Sequence, residues 1–340
     1  MKYEDQLKAT VQAMMATGKG LLAADESSGT VAKRFDAVNL ENTEENRRQW
    51  RQLLLTAEGN EKFLSGVILY DETIRQKDDN GTPFADALKQ KGIIPGIKVD
   101  MGAKDLALHP GEKVTEGLDG LRERFAEYAS MGAGFAKWRA VVTIGDNIPS
   151  DGCLHANSHA LARYSALAQE AGIVPIVEPE VLLDGNHSIE QCFDVTARTL
   201  RSLFHSLKDQ DVLMEGVILK ASMVLSGKDA PNRADVQTVA EQTVKCLKEH
   251  VPTNLGGVVF LSGGQSEEEA TAHLNAMNEI GSLPWTLTFS YSRAIQNPVL
   301  KLWAAGEKDK ARAAYLYRCE ANSLAAEGQW SEDFEKDRPY

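Results

Sequence analysis

An apolar, β-branched run recurs eight times along this chain, over residues 20–25, 65–71, 93–100, 134–142, 173–180, 215–224, 257–262 and 285–290. Runs of this length and composition read as buried strands. Segments of helical period lie between them. Leu118, Leu121, Phe125, Tyr128 and Ala129 make one, Leu161, Tyr164, Leu167 and Ala168 another, and Val236, Val239, Ala240, Val244 and Leu247 a third. Strands that alternate with helices imply a parallel sheet, and eight such units in 340 residues imply a closed (β/α)8 barrel in one domain, 1–340. Ahead of the first run, Leu7, Val11, Met14 and Met15 mark a helix that Gly18 closes. The long gap before the second run has room for one more helix over 42–50. The chain contains no Pro/Gly/Ser-rich linker and no low-complexity tract.

These strands are unusual in carrying ions. Side chains two apart share a face of a strand, so Lys137 and Arg139 point the same way, as do Glu178 and Glu180, and Lys98 and Asp100. The outer face of a parallel barrel lies under helices and is apolar, so the ions belong inside, near the carboxyl ends of the strands where catalytic groups of this fold gather. Asp25, Asp71, Lys98, Lys137, Arg139, Glu178, Glu180, Lys220 and Arg293 are therefore expected in one mixed-charge pocket. A purely structural ion network of this size would be costly to desolvate, which favours a functional reading.

Lys220 stands among Val217, Ile218, Leu219, Met223 and Val224. Alone, it is better explained by a structural pair with a buried carboxylate. In the company of these ions, burial and the like charge of Lys137 favour a neutral amine that attacks a carbonyl to form an imine. Glu178 is the candidate for proton transfer during carbinolamine dehydration. Asp25, at the end of the first run, is placed to remove a substrate hydroxyl proton, or else merely caps the next helix.

Phosphate binding is expected where the last two strands end. Ser262 ends the seventh run and Gly263 and Gly264 follow it, while Ser290 ends the eighth and Ser292 and Arg293 follow. Glycines admit an anion to backbone N–H groups, and arginine adds a bidentate fork. Ser266 to Glu269 reads as a capping box whose acidic turn repels phosphate from that helix. A second basic set, Lys98 and Arg139 with the hydroxyls of Ser27 and Thr30, sits toward other strands, so two cradles imply a bisphosphate.

Other classes are disfavoured. A net charge of -12 argues against nucleic acid or an anionic membrane as partner. Cys153, Cys192, Cys246 and Cys319 are scattered, without a disulfide framework or zinc spacing. His155 and His159 lack a third ligand and read as a solvent-facing helix, so neither metal nor cofactor is expected. Tyr315 to Arg318 reads as ordinary helix packing. The first residues carry an acidic pair and no apolar core, so no signal peptide is expected and a cytoplasmic location is.

The motifs Leu22-Ala-Ala-Asp-Glu-Ser27, Gly96-Ile-Lys-Val-Asp100, Phe135-Ala-Lys-Trp-Arg139, Val177-Glu-Pro-Glu180, Leu219-Lys220 and Phe260-Leu-Ser-Gly-Gly-Gln265 resemble the class I, Schiff-base fructose-bisphosphate aldolases. The likeness runs on to Ala321-Asn-Ser-Leu324. It implies reversible cleavage of fructose 1,6-bisphosphate, in glycolysis or gluconeogenesis, by a metal-independent homotetramer. It also implies Lys220 as imine former, Glu178 as proton carrier, Asp25 and Lys137 as further catalytic groups, and Glu180 as an orienting group. The ketone-side phosphate then falls to Ser262, Gly263 and Arg293, and the aldehyde-side phosphate to Ser27, Thr30, Lys98 and Arg139. Ser292 departs from the family's usual glycine, and Ala221-Ser222 from the Pro-Asn of animal relatives. The charged tail 331–340 is expected to be mobile and too short to carry Tyr340 into the site. A Schiff-base aldolase for another sugar, such as sedoheptulose 1,7-bisphosphate, and a non-catalytic scaffold are the alternatives.

Overall fold

Every one of the eight runs contains a strand. The computed structural model describes residues 2–340. Its strands are β1 (Gly20–Ala24), β2 (Leu64–Leu69), β3 (Ile94–Lys98), β4 (Ala103–Asp105), β5 (Lys113–Thr115), β6 (Phe135–Val142), β7 (Val174–Val181), β8 (Ile218–Ala221), β9 (Gly257–Phe260) and β10 (Leu287–Tyr291). Eight of them close into a parallel barrel in the order β1-β10-β9-β8-β7-β6-β3-β2. The antiparallel hairpin β4–β5 stands apart from it. The periodicity gave no hint of these two strands, which are three residues each and polar.

Alternation along the strands divides the apolar residues into two bodies. Leu22, Val67, Ile97, Ala136, Trp138, Val177, Leu219 and Phe260 face outward and pack under the helices. Leu21, Ala23, Ile68, Phe135, Val174, Ile176, Ile218 and Val259 face inward. The N-terminal helix Glu4–Met14 contributes Leu7, Val11 and Met14 to this inner body and so plugs the amino end of the barrel. Gly96 leaves room for the Phe135 ring, since a Cβ there would lie 2.3 Å from ring carbons. A side chain at position 96 and the Phe135 ring would exclude each other, and the ring is what fills the floor.

The long gap before β2 holds two helices, Ser28–Asp36 and Glu44–Leu55, the second capped by Thr43, which accepts from the Asn46 N–H. The capping box at Ser266 is present, and His155 and His159 stack on the exposed face of helix Asp151–Glu170. Tyr315 to Arg318 does more than pack. Arg318 is fully buried, pairs with Glu335 at 2.7 Å, and donates to the Glu267 carbonyl and the Thr271 hydroxyl. The Tyr317 hydroxyl donates to the Phe334 carbonyl, and Arg338 reaches Glu268 at 2.5 Å. In this arrangement Tyr340 lies edge-on to Tyr317 and does not line the central cavity. No helix among the described residues is long and apolar enough to cross a membrane.

Candidate active site

The inward columns of the strands change character about halfway up. On β6 the inward residues run Phe135, Lys137, Arg139, and on β7 Val174, Ile176, Glu178, Glu180. Ile218 precedes Lys220 on β8, and Leu21 and Ala23 precede Asp25 after β1. Register sets these rows side by side, with Lys98 opposite Lys137 and Arg139 opposite Glu178. The result is a cavity of about 520 Å3 at the carboxyl ends of the strands.

At its centre four ions form a chain. Lys137 Nζ lies 2.7 Å from Asp25 Oδ2 and 3.1 Å from Glu178 Oε2, and Lys220 Nζ lies 3.0 Å from Glu178 Oε1. All four are buried. Burial pushes the Asp25 carboxyl up, but the charges of Lys137 and Lys220 outweigh it and hold the pKa at about 2. The same contest lowers Glu178, with burial opposed by Lys137, Lys220 and Arg139. Burial would lower Lys137, yet Asp25 and Glu178 raise it, so this amine stays an ammonium ion. Glu178 thus stands between two amines, one of them locked as a cation and the other, Lys220, in contact with the carboxylate alone.

Around this chain, Arg139 Nε donates to Glu180 Oε2. Lys98 Nζ meets Asp100 at 2.8 Å, and Asp100 also accepts from the Arg139 N–H at 3.2 Å. The Ser27 and Thr30 hydroxyls are 3.2 Å apart at the start of helix Ser28–Asp36. Across the rim, Gly263 and Gly264 turn with φ of 50° and 94°, a region open to glycine, after Ser262. Ser290 lies on β10, Ser292 just beyond its end, and Arg293 opens the helix Arg293–Ala304. The first N–H groups of a helix lack intrahelical acceptors. Arg293 has no carboxylate partner among the described residues, and burial and the neighbouring Arg34 lower its pKa. An anion arriving there meets a cation with no carboxylate in direct contact among the described residues, only Glu180 and Asp184 at longer range.

Asp25, Ser27, Thr30, Lys98, Lys137, Arg139, Glu178, Glu180, Lys220, Ser262, Gly263, Ser290, Ser292 and Arg293 all line this one cavity. Asp71 does not, and here the sequence reading is corrected. β2 ends at Leu69, so Asp71 falls in the first turn of helix Asp71–Arg75, where it pairs with Arg75 at 2.8 Å and accepts from the Tyr128 hydroxyl at 2.8 Å. It faces a neighbouring cleft. Ser292 lines the cavity with its hydroxyl already engaged. It donates to Glu26 Oε1 at 2.5 Å and accepts from Arg34 at 3.0 Å and Gln296 at 3.3 Å.

Sequence reasoning missed Glu26, Lys33 and Arg34, which also line the cavity. Glu26 is held by Arg34 at 2.5 Å and by the buried Arg51 at 2.7 Å. The signal for Lys33 and Arg34 was there, at three and four residues after Thr30 on one helical face. Arg51 comes from the next helix, and nothing in its surroundings in the sequence marks it.

Comparison with known proteins agrees over almost the whole chain. A family model described as "Fructose-bisphosphate aldolase class-I" matches residues 6–339. A protein of Xanthomonas axonopodis pv. citri named "Probable fructose-bisphosphate aldolase class 1" is 59% identical over 329 residues, 96% of this chain and 98% of its own. "Fructose-bisphosphate aldolase 6, cytosolic" of Arabidopsis thaliana is 50% identical over 335 residues, 98% of this chain and 93% of its own. A co-crystal structure of fructose-bisphosphate aldolase from Plasmodium falciparum, in complex with TRAP and a small-molecule inhibitor, superimposes with a TM-score of 0.95 at 48% identity, covering 97% of this chain and 96% of that one.

Proposed function

The chain belongs to the class-I fructose-bisphosphate aldolase family, and we propose that Lys220 is the amine through which it works. It is a carbon–carbon lyase that cleaves fructose 1,6-bisphosphate reversibly into dihydroxyacetone phosphate and glyceraldehyde 3-phosphate. The observation that carries the assignment of roles is the Lys220–Glu178–Lys137–Asp25 chain, in which one amine has a single carboxylate neighbour and the other has two.

In this reading Lys220 Nζ passes a proton to Glu178 Oε1 and attacks the C2 carbonyl of the open ketose. The carbinolamine leaves its hydroxyl as water, with Glu178 returning the proton. The resulting iminium draws electrons from the C3–C4 bond while Asp25, ionised far below neutral pH, takes the C4 hydroxyl proton. The aldehyde departs, and the enamine is reprotonated at C3 and hydrolysed to release the ketone product. Lys137, paired with both carboxylates, returns Asp25 and Glu178 to their charged forms between these proton transfers. Arg293 with the Ser262–Gly264 turn, Ser290 and Ser292 takes one phosphate, and Ser27, Thr30, Lys98 and Arg139 take the other. The unpaired Arg293 supports the first site. The second is supported by two hydroxyls, and by cations already shared with Asp100 and Glu180. Glu180 orients Arg139.

A homotetramer in the cytoplasm is part of the same reading, its location supported by the cytosolic name of the Arabidopsis relative. An assay of fructose 1,6-bisphosphate and sedoheptulose 1,7-bisphosphate cleavage in chelator, with wild type and Lys220→Met, tests the proposal. Activity should persist in chelator, greater with the fructose ester, and fall at least about 10^4-fold in the variant. Loss in chelator that zinc restores would refute it.

A further inference from the structure

Behind the Ser262–Gly264 turn lies a buried relay of two side chains, Gln265 and His273, that do not line the central cavity. Gln265 is 6% exposed and His273, on the following helix Glu267–Glu279, is 2% exposed. His273 Nδ1 is 2.6 Å from Gln265 Oε1, and Gln265 Nε2 donates to the Ser262 carbonyl at 3.0 Å and to Met223 Sδ at 3.6 Å. The Ser262 carbonyl also accepts the Gln265 N–H at 2.9 Å. This carbonyl decides the orientation of the amide, because an oxygen turned toward it would set acceptor against acceptor. With the amide so fixed, Oε1 can only accept, and His273 must carry its proton on Nδ1. Burial lowers the His273 pKa to about 4, so the ring remains neutral and keeps this tautomer across the physiological range. Both glycines of the turn have positive φ, so its conformation is held by its bonds and not by local preference.

We propose that His273 is a positioning residue for phosphate binding, acting through Gln265 to hold the Ser262 carbonyl back and so keep the Ser262–Gly264 turn in its anion-accepting shape. This rests on the reading above that the turn and Arg293 receive a substrate phosphate. His273→Ala leaves Gln265 Oε1 buried and unpaired, and the amide then turns away from Ser262.

The test measures kcat and KM for fructose 1,6-bisphosphate, the inhibition constant of inorganic phosphate, and imine formation with unphosphorylated dihydroxyacetone, trapped by borohydride. His273→Ala should raise KM and the phosphate inhibition constant by roughly ten-fold. Its kcat and its trapping with dihydroxyacetone should stay at the wild-type level, because Lys220 is untouched. His273→Asn should restore both constants, since an asparagine amide nitrogen occupies the place of Nδ1. Should His273→Ala not fold, Gln265→Glu carries the test. It keeps an acceptor for His273 but faces the Ser262 carbonyl with an oxygen, and should weaken phosphate in the same way. Arg293→Ala separates the two levels of inference. If it weakens phosphate while the folded His273 and Gln265 variants do not, the relay is refuted alone. If Arg293→Ala leaves phosphate binding intact, the phosphate assignment falls and the relay with it.

Discussion

The two ends of the barrel interior are built from the same strands and behave as opposites. At the amino end Leu21, Phe135, Val174, Ile176, Ile218 and Val259 close on the N-terminal helix. One or two inward positions higher, the same columns carry Asp25, Lys137, Glu178 and Lys220, buried almost as fully as the apolar floor beneath them. The floor is stabilised by removing apolar area from water, about 2 kcal/mol for each such side chain. The upper layer must recover the desolvation of its ions through mutual contact, which burial makes expensive and seldom gives a net gain. A barrel needing only stability would continue the floor upward. The difference teaches that stability is concentrated at one end so that chemistry can be held at the other.

The largest effect that sharpens this contrast is expected from Lys137→Met. Removing the cation that bridges Asp25 and Glu178 should destabilise the fold by about 4 kcal/mol at neutral pH. With that charge gone, burial is opposed only by the remaining cations, so both carboxyls move up and the variant should regain stability relative to wild type as pH falls. Urea midpoints from pH 8 to pH 4 read this directly. A midpoint equal to that of wild type at every pH would break the contrast.

Phe135→Ala, on the floor of the same strand, should lower stability by about 3 kcal/mol through loss of packing and an unfilled cavity. Here the loss should not depend on pH between 8 and 4, and kcat should survive in the folded fraction. A strongly pH-dependent loss would mean that floor and ions are not separate bodies.

Asp25→Asn is the smallest change. In wild type the folded Asp25 pKa is about 2, below its ordinary value of 3.8, so its contribution is full above the ordinary carboxylate range and lost as pH falls through about 2. That contribution is about 2 kcal/mol. Acid unfolding of the variant should therefore show a shallower fall between pH 4 and 2, measurable by circular dichroism. An acid limb as steep as that of wild type would show that Asp25 does not supply it.

Much of this contrast could be read from the chain itself. Alternation alone puts Lys137 with Arg139 and Glu178 with Glu180, and the requirement of an apolar outer face sends all of them inward. Asp71 was misread because it closes the second run as Asp25 closes the first, but β2 stops at Leu69 and helix geometry hands the carboxylate to Arg75. Glu26 and Arg51 were invisible for another reason. Their pairing joins a loop to a helix, and no local period announces such a contact. Arg318 is similar, since its partner Glu335 comes from a segment that reads as a loose tail. The hairpin β4–β5 was missed because its strands are too short and polar to show a pattern.

The central claim is that Lys220, the amine of the four-ion chain that faces a single carboxylate, forms the covalent bond to substrate. Borohydride reduction in the presence of dihydroxyacetone phosphate, followed by peptide mass mapping, tests it most directly. The account predicts one stoichiometric adduct on Lys220 and none on Lys137, whose amine is held charged between Asp25 and Glu178. An adduct on Lys137, or an active enzyme that yields none on Lys220, would contradict it.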